Sequence, residues 1–265
     1  MNSEKNKREN RKALKVFIPI IIVAAVIGGI IGGFSSTDTA ESVADIIGNF
    51  FGKLIFAISP YMVIAAVITG VALSIRYYRI SKKSFEKCKL EEDEEKQEKL
   101  YQFADKTLAK GMMVIGITEI VAFIFFSGLL AYIERYIEEK HIIYMATLAV
   151  FILGSFSRIK IQQLMIDFQK IMNPEKTGSA YDFNFQKKWE NSCDELEKFM
   201  IYKSAYKAYR VGSLTCAIVF IVLMLFSFFF DYGPMPAMAV GLIWLVSVAS
   251  YYREAMRLEK DKINL

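Results

Sequence analysis

The chain has 265 residues, 54% hydrophobic and 23% charged, with a formal net charge of +5, three cysteines and one histidine. A soluble domain of this composition would scatter its charges, whereas here they collect between long uncharged blocks, the pattern of a polytopic membrane protein. The cysteines lack CxxC spacing and neither GxxxxGK[ST] nor GxGxxG occurs, so no disulfide framework, zinc site, phosphate loop or other cofactor site is indicated.

Six apolar blocks cover 16–34, 54–75, 112–133, 142–156, 211–230 and 236–252. About 20 residues cross a hydrocarbon core of about 30 Å. The fourth and sixth blocks are short, and local thinning or flanking tyrosines must cover the difference. The expected fold is all-α: six transmembrane helices in three hairpins, one membrane domain over 1–265, with amphipathic helical arms at 76–110 and 158–210.

The first block follows a basic tail with Lys5, Lys7, Arg8, Arg11, Lys12 and Lys15. Its apolar run is too long for a signal peptide, and Asp38 sits badly beside a cleavage site ending at Ala40, so it is read as a permanent helix. Ala24, Gly28 and Gly32 recur every four residues, as do Ala25, Gly29 and Gly33. Such stripes let another backbone approach closely, within the chain or in a homo-oligomer.

Orientation follows from the loops. Of the 33 Lys and Arg residues, all but Lys53, Arg135 and Lys140 fall on one side of the six blocks. Basic residues near short loops stay inside, which places both termini in the cytoplasm. The opposite side holds Asp38, Glu41, Asp45, Glu134, Glu138, Glu139 and Asp231. The positive charge therefore reports topology and attraction to anionic lipid, about 1 kcal/mol per basic residue near the surface, and not nucleic-acid binding.

Entries and exits repeat along the chain. Lys12-Ala-Leu-Lys-Val16, Thr107-Leu-Ala-Lys-Gly111 and Lys207-Ala-Tyr-Arg-Val211 lead into the first, third and fifth blocks. Tyr77-Tyr-Arg79, Phe156-Ser-Arg158 and Tyr251-Tyr-Arg253 leave the second, fourth and sixth. Either the three hairpins are a true repeat, or interfacial helix ends share Tyr, Lys and Arg for their amphipathic side chains. No inverted repeat of the transporter kind is present.

Within the third block Glu119 breaks the apolar pattern about 10 Å from the cytoplasmic end, at a cost of about 2–3 kcal/mol on insertion scales. It should face other helices. There it could bind a cation, carry a proton or contact a cationic peptide, or it could sit protonated against a hydroxyl of the Thr118, Thr69 or Ser247 kind, or pair with a basic residue. His141, beside Glu138 and Glu139, is read as an interfacial residue rather than a metal ligand.

The arms are patterned. Ile161, Leu164, Met165, Phe168, Ile171 and Met172 recur at helical spacing, and Asn173-Pro174 ends that helix. A second helix from near Gln186 carries Trp189, Cys193, Leu196 and Met200 on one stripe, with Asp194 and Lys198 as a supporting pair, and should run unbroken into the fifth block. The first arm repeats the plan with a basic run 79–89, acids at 91–95, and a helix through Leu100 and Phe103. These stripes pack between arms or on the membrane surface, or they form a partner surface of Leu164, Phe168, Ile171, Trp189 and Leu196.

The run Lys187-Lys-Trp-Glu-Asn-Ser-Cys-Asp-Glu-Leu-Glu-Lys-Phe-Met-Ile-Tyr-Lys-Ser-Ala-Tyr-Lys-Ala-Tyr209, with Asn173-Pro-Glu-Lys-Thr-Gly178 and the paired-span layout, resembles the domain-of-unknown-function 3169 family. That family comprises uncharacterised membrane proteins of Firmicutes-type bacteria. The resemblance implies a bacterial cell-membrane protein and supplies no catalytic residues. With no catalytic constellation visible, a non-enzymatic component acting through protein partners is expected. The alternative is a small transporter or channel built on Glu119.

Overall fold

The computed structural model describes residues 15, 18, 19, 22, 23, 26 and 38–263, except 132, 228, 229, 231 and 232. The packing stripes Ala24, Gly28, Gly32 and Ala25, Gly29, Gly33 lie outside the described residues, as does most of the first apolar block. The helices between residues 38 and 263 are α1 (Asp38–Cys88), α2 (Glu94–Ala131), α3 (Ile133–Met172), α4 (Phe185–Asn191), α5 (Glu195–Phe226) and α6 (Met235–Ile263). All but α4 are long and apolar enough to cross a membrane. The described chain divides into two units, Phe51–Ile201 on the one hand and Met1–Phe50 with Tyr202–Leu265 on the other.

In the unit Phe51–Ile201, α1, α2 and α3 form an up–down–up bundle whose buried positions follow a heptad rhythm. On α3 the sequence is Tyr144, Thr147, Gly154, Arg158, Ile161, Met165, Phe168 and Met172, with partly buried Phe151 completing it. The steps alternate between three and four residues, the 3.5-residue period of a left-handed coiled coil. Helix α2 matches it with Ala104, Leu108, Gly111, Ile115, Ala122 and Leu129. One apolar cluster joins Ile115 in the third apolar block to Phe85, Ala104, Leu108, Ile161, Met165, Phe168 and Met172 in the arms. Block and arm thus share a single seam.

Small residues set the α1–α2 contact. Ser74 Oγ donates to the Gly111 carbonyl at 3.1 Å, Ser81 Oγ to Ala104 at 2.7 Å, Ser84 Oγ to Leu100 at 3.4 Å and Cys88 Sγ to Gln97 at 3.3 Å. Each hydroxyl or thiol reaches a backbone carbonyl across the seam because no larger side chain separates the helices. Pro60 lies inside α1 without ending it. Helix α3 runs through the short fourth block from Ile133 to Met172, so its length is not limited by that block.

Two local readings change. The helix expected from Gln186 into the fifth block is interrupted: α4 ends at Asn191, and α5 starts at Glu195. Asp194 is the reason. Its Oδ1 accepts the Glu197 N–H at 2.7 Å while Glu197 Oε2 accepts the Asp194 N–H at 3.1 Å, a reciprocal capping box rather than the expected support for Lys198. In the other unit α5 and α6 are antiparallel: Trp244 Nε1–H donates to Ser213 Oγ at 2.8 Å, and the Tyr209 and Tyr251 rings stack at 4.7 Å. Neither helix buries a residue of its most apolar stretch.

Gly154 shows how tightly the seam is packed. A Cβ there would lie 2.6 and 2.9 Å from the two methyls of Val67 and 3.3 Å from its Cβ. Gly154→Ala is expected to destabilise the bundle by about 1–3 kcal/mol through overpacking. Val67→Ala in the same chain should recover most of that loss, as measured by thermal unfolding in detergent.

Candidate functional site

The seam places one charge where an aliphatic residue belongs. Arg158 is fully buried, one heptad step after Gly154 and one before Ile161. Its Nε, Nη1 and Nη2 are enclosed, and none has a hydrogen-bond partner among the described residues. Taking a guanidinium out of water costs several kcal/mol even after relaxation, so such a group calls for an anion. Glu119 on α2, partly buried, is the carboxylate whose charge acts on Arg158, although the two make no direct ion pair.

The hydroxyls expected to hold Glu119 are engaged elsewhere. Thr118 Oγ1 donates to the Val114 carbonyl at 2.8 Å, Thr69 Oγ1 to Ala65 at 2.6 Å and Ser247 Oγ to Ile243 at 2.8 Å, each within its own helix. None of these hydroxyls donates to Glu119, and Arg158 is a basic residue on which its charge acts, with no ion pair between them. Sequence reasoning placed Arg158 at the interface as the exit of the fourth block. The alternating three- and four-residue spacing of Gly154, Arg158, Ile161, Met165 and Phe168 was the signal that could have put it in the core. Chemically, a guanidinium with five N–H donors clamps a carboxylate or phosphate.

At the arm end, Asn173 to Gly178 folds over the bundle. Tyr101 donates to Asn173 Oδ1, Gln169 Nε2 to Asp105 Oδ1 at 2.7 Å, and Gln163 Oε1 accepts from Ser179 Oγ at 2.9 Å and the Ala180 N–H at 2.7 Å. Gly178 has φ 125°, open to glycine, and a Cβ there would meet the Phe185 ring at 2.8 Å. Lys176 is buried inside this cap. Its ammonium pairs with Glu197, reaches Cys193 Sγ at 3.4 Å and lies 5.9 Å from the Trp189 ring centroid. Burial pulls the Lys176 pKa down, but the hydrogen bonds its ammonium donates to Glu197 and Cys193, with the charge of Glu197, outweigh it and raise the value above the ordinary lysine range.

Of the predicted partner surface, Leu164 is 43% exposed, Ile171 59% and Leu196 68%, and Trp189 is partly buried in the cap. Phe168 belongs to the core, edge-on to Phe85 at 5.8 Å, so it is not available to a partner. The side chain of His141 is outside the described residues. Among the described residues no group of three or more His, Cys, Asp or Glu is placed to hold a metal.

The sequence model of the family described as Protein of unknown function (DUF3169) matches residues 10–255, nearly the whole chain. The chain belongs to that family. No curated protein and no solved structure matches it. Family membership thus agrees with the resemblance carried by residues 173–209, and the cap shows what those residues do locally: they bury Lys176 and restart the chain into α5.

Two consequences can be measured. Glu119→Leu removes the counter-charge of Arg158 and should cost roughly 1–3 kcal/mol, whereas Glu119→Leu with Arg158→Leu should return to wild-type stability or above it. Strict additivity in that cycle would show that the two charges are uncoupled. In the cap, Glu197→Ala leaves a buried ammonium unpaired, while Lys176→Met leaves a carboxylate that already reaches water. Glu197→Ala should therefore cost more, roughly 2–3 kcal/mol after discounting for the exposure of Glu197. Because folding raises the Lys176 pKa, the pair's contribution is complete below the ordinary lysine range and is lost as pH climbs past the raised value. Urea unfolding at neutral and strongly alkaline pH reads both effects.

Proposed function

We propose that the protein is a non-enzymatic component of the bacterial cell membrane, a six-span protein in three hairpins with both termini cytoplasmic, that senses or assists by acting through partner proteins. The observation that supports this reading is the unbroken seam from Ile115 to Met172, which ties the apolar block to the arm through one packed core. Packed cores respond as units rather than deforming gradually, so a shift in one end of the bundle is transmitted to the other. The exposed positions Leu164 and Ile171 on α3, and Leu196 on α5, are those on which a partner would register it.

A second reading has its own support. Glu119 within the third apolar block, with its charge acting on the buried Arg158 beyond the end of the fourth, is the kind of carboxylate found on ion and proton pathways, and supports a small transporter or channel. Leu164→Ser with Ile171→Ser leaves the seam intact and should abolish co-purification of the partner while the protein still reaches the membrane in normal amount. Retention of every interaction by that variant would overturn the partner reading. Solute flux by the pure protein in liposomes, lost in Glu119→Gln, would establish the second.

A further inference from the structure

A cleft of about 490 Å³ lies against α5, lined by Lys203, Tyr206, Lys207, Arg210, Val211 and Leu214. These residues recur at three and four positions and so form one stripe of the helix. The stripe is ordered along its length. Three cations and a phenol come first, within about 10 Å of helix, and then two aliphatic residues that are 58% and 63% exposed. Lys207 and Arg210 are exposed, and neither takes part in an ion pair among the described residues. Tyr209, Tyr251, Tyr252 and Tyr206 form a ring cluster at the same level, with centroids 4.7, 5.6 and 6.3 Å apart in successive pairs through Tyr251. Tyrosines that flank an apolar stretch mark the boundary between hydrocarbon and water.

We propose that Lys207 and Arg210, with Lys203 and Tyr206 beside them, hold the phosphate of an anionic phospholipid whose acyl chains continue over Val211 and Leu214. The inference rests on the reading of α5 as a membrane-crossing helix, and it adds a bound lipid to that reading. Charge selects the headgroup. Lysine and arginine at the interface attract anionic lipid, an arginine fork binds a phosphate through paired N–H groups, and the Tyr206 hydroxyl can donate a further hydrogen bond. The apolar continuation selects a lipid over a free anion, because inorganic phosphate gains nothing from Val211 and Leu214. A net-neutral phosphatidylcholine headgroup would bring its own cation to a site that already holds three.

The test is native mass spectrometry of the full chain in detergent, offered phosphatidylglycerol or phosphatidylcholine. Recovery of the protein from the membrane fraction comes first, since its failure would count against the membrane reading itself and not against the site alone. The wild type should retain phosphatidylglycerol in preference to phosphatidylcholine, and excess inorganic phosphate should not displace it. Lys207→Gln with Arg210→Gln should weaken retention by roughly 20- to 30-fold, about fivefold for each cation. Lys82→Gln with Lys83→Gln, an equal loss of charge from exposed positions on α1, should leave it unchanged. Equal retention of the two lipids, equal weakening by both variants, or displacement by phosphate would each overturn the proposal.

Discussion

The heptad seam of α1, α2 and α3 is the constraint on which the rest of the described unit depends. Apart from Arg158 its buried positions are small or apolar, and a backbone carbonyl faces each of four polar side chains along α1. This geometry needs close helices, which is why Gly70, Gly111, Gly128 and Gly154 occur where a Cβ would fall within 3 Å of a neighbouring side chain. The seam passes through the end of the apolar blocks without a break, so the arms are extensions of the same three helices.

A seam of this kind makes a buried charge conspicuous. Arg158 occupies a core position with its donors unfilled among the described residues, and the charge of Glu119 acts on it. A leucine would pack there at no electrostatic cost. A buried charge without hydrogen-bond partners among the described residues calls for an anion, so this position marks where the bundle is electrostatically incomplete. The proposed roles, partner-acting component and transporter, differ in which part of the bundle meets the other species, the arm surface in the one and the Arg158 position in the other.

The cap resolves a different problem. The chain must leave α3 at Asn173 and re-enter a long apolar helix at Glu195, and it does so with a buried ammonium, a positive-φ glycine and a reciprocal capping box within about twenty residues. Lys176 serves as the centre of this fold because its long stem covers apolar surface while its head meets Glu197, Cys193 and the Ser192 carbonyl. That explains locally why Asn173–Gly178 and the run through Trp189 and Cys193 occur together.

Helical class and the apolar helices could be read from the sequence because they follow from composition and period, which are local. The segregation of charge was likewise legible as a proposed orientation. Glu119 stood out because a carboxylate interrupts an uncharged run. Which face of each stripe is buried was decided only by the tertiary structure: Ile161, Met165 and Phe168 turn inward, while Leu164 and Ile171, equally apolar, stay outside. Periodicity of 3.6 admits both faces, and the helical partners at 3.5 select one. Arg158 was misread for the same reason, since an arginine at a helix exit is interfacial by local rules and becomes a core residue only when α1 and α2 close around it. Similarly, Asp194 could have supported Lys198 or capped α5, and the folding of 173–193 over Lys176 chose the cap.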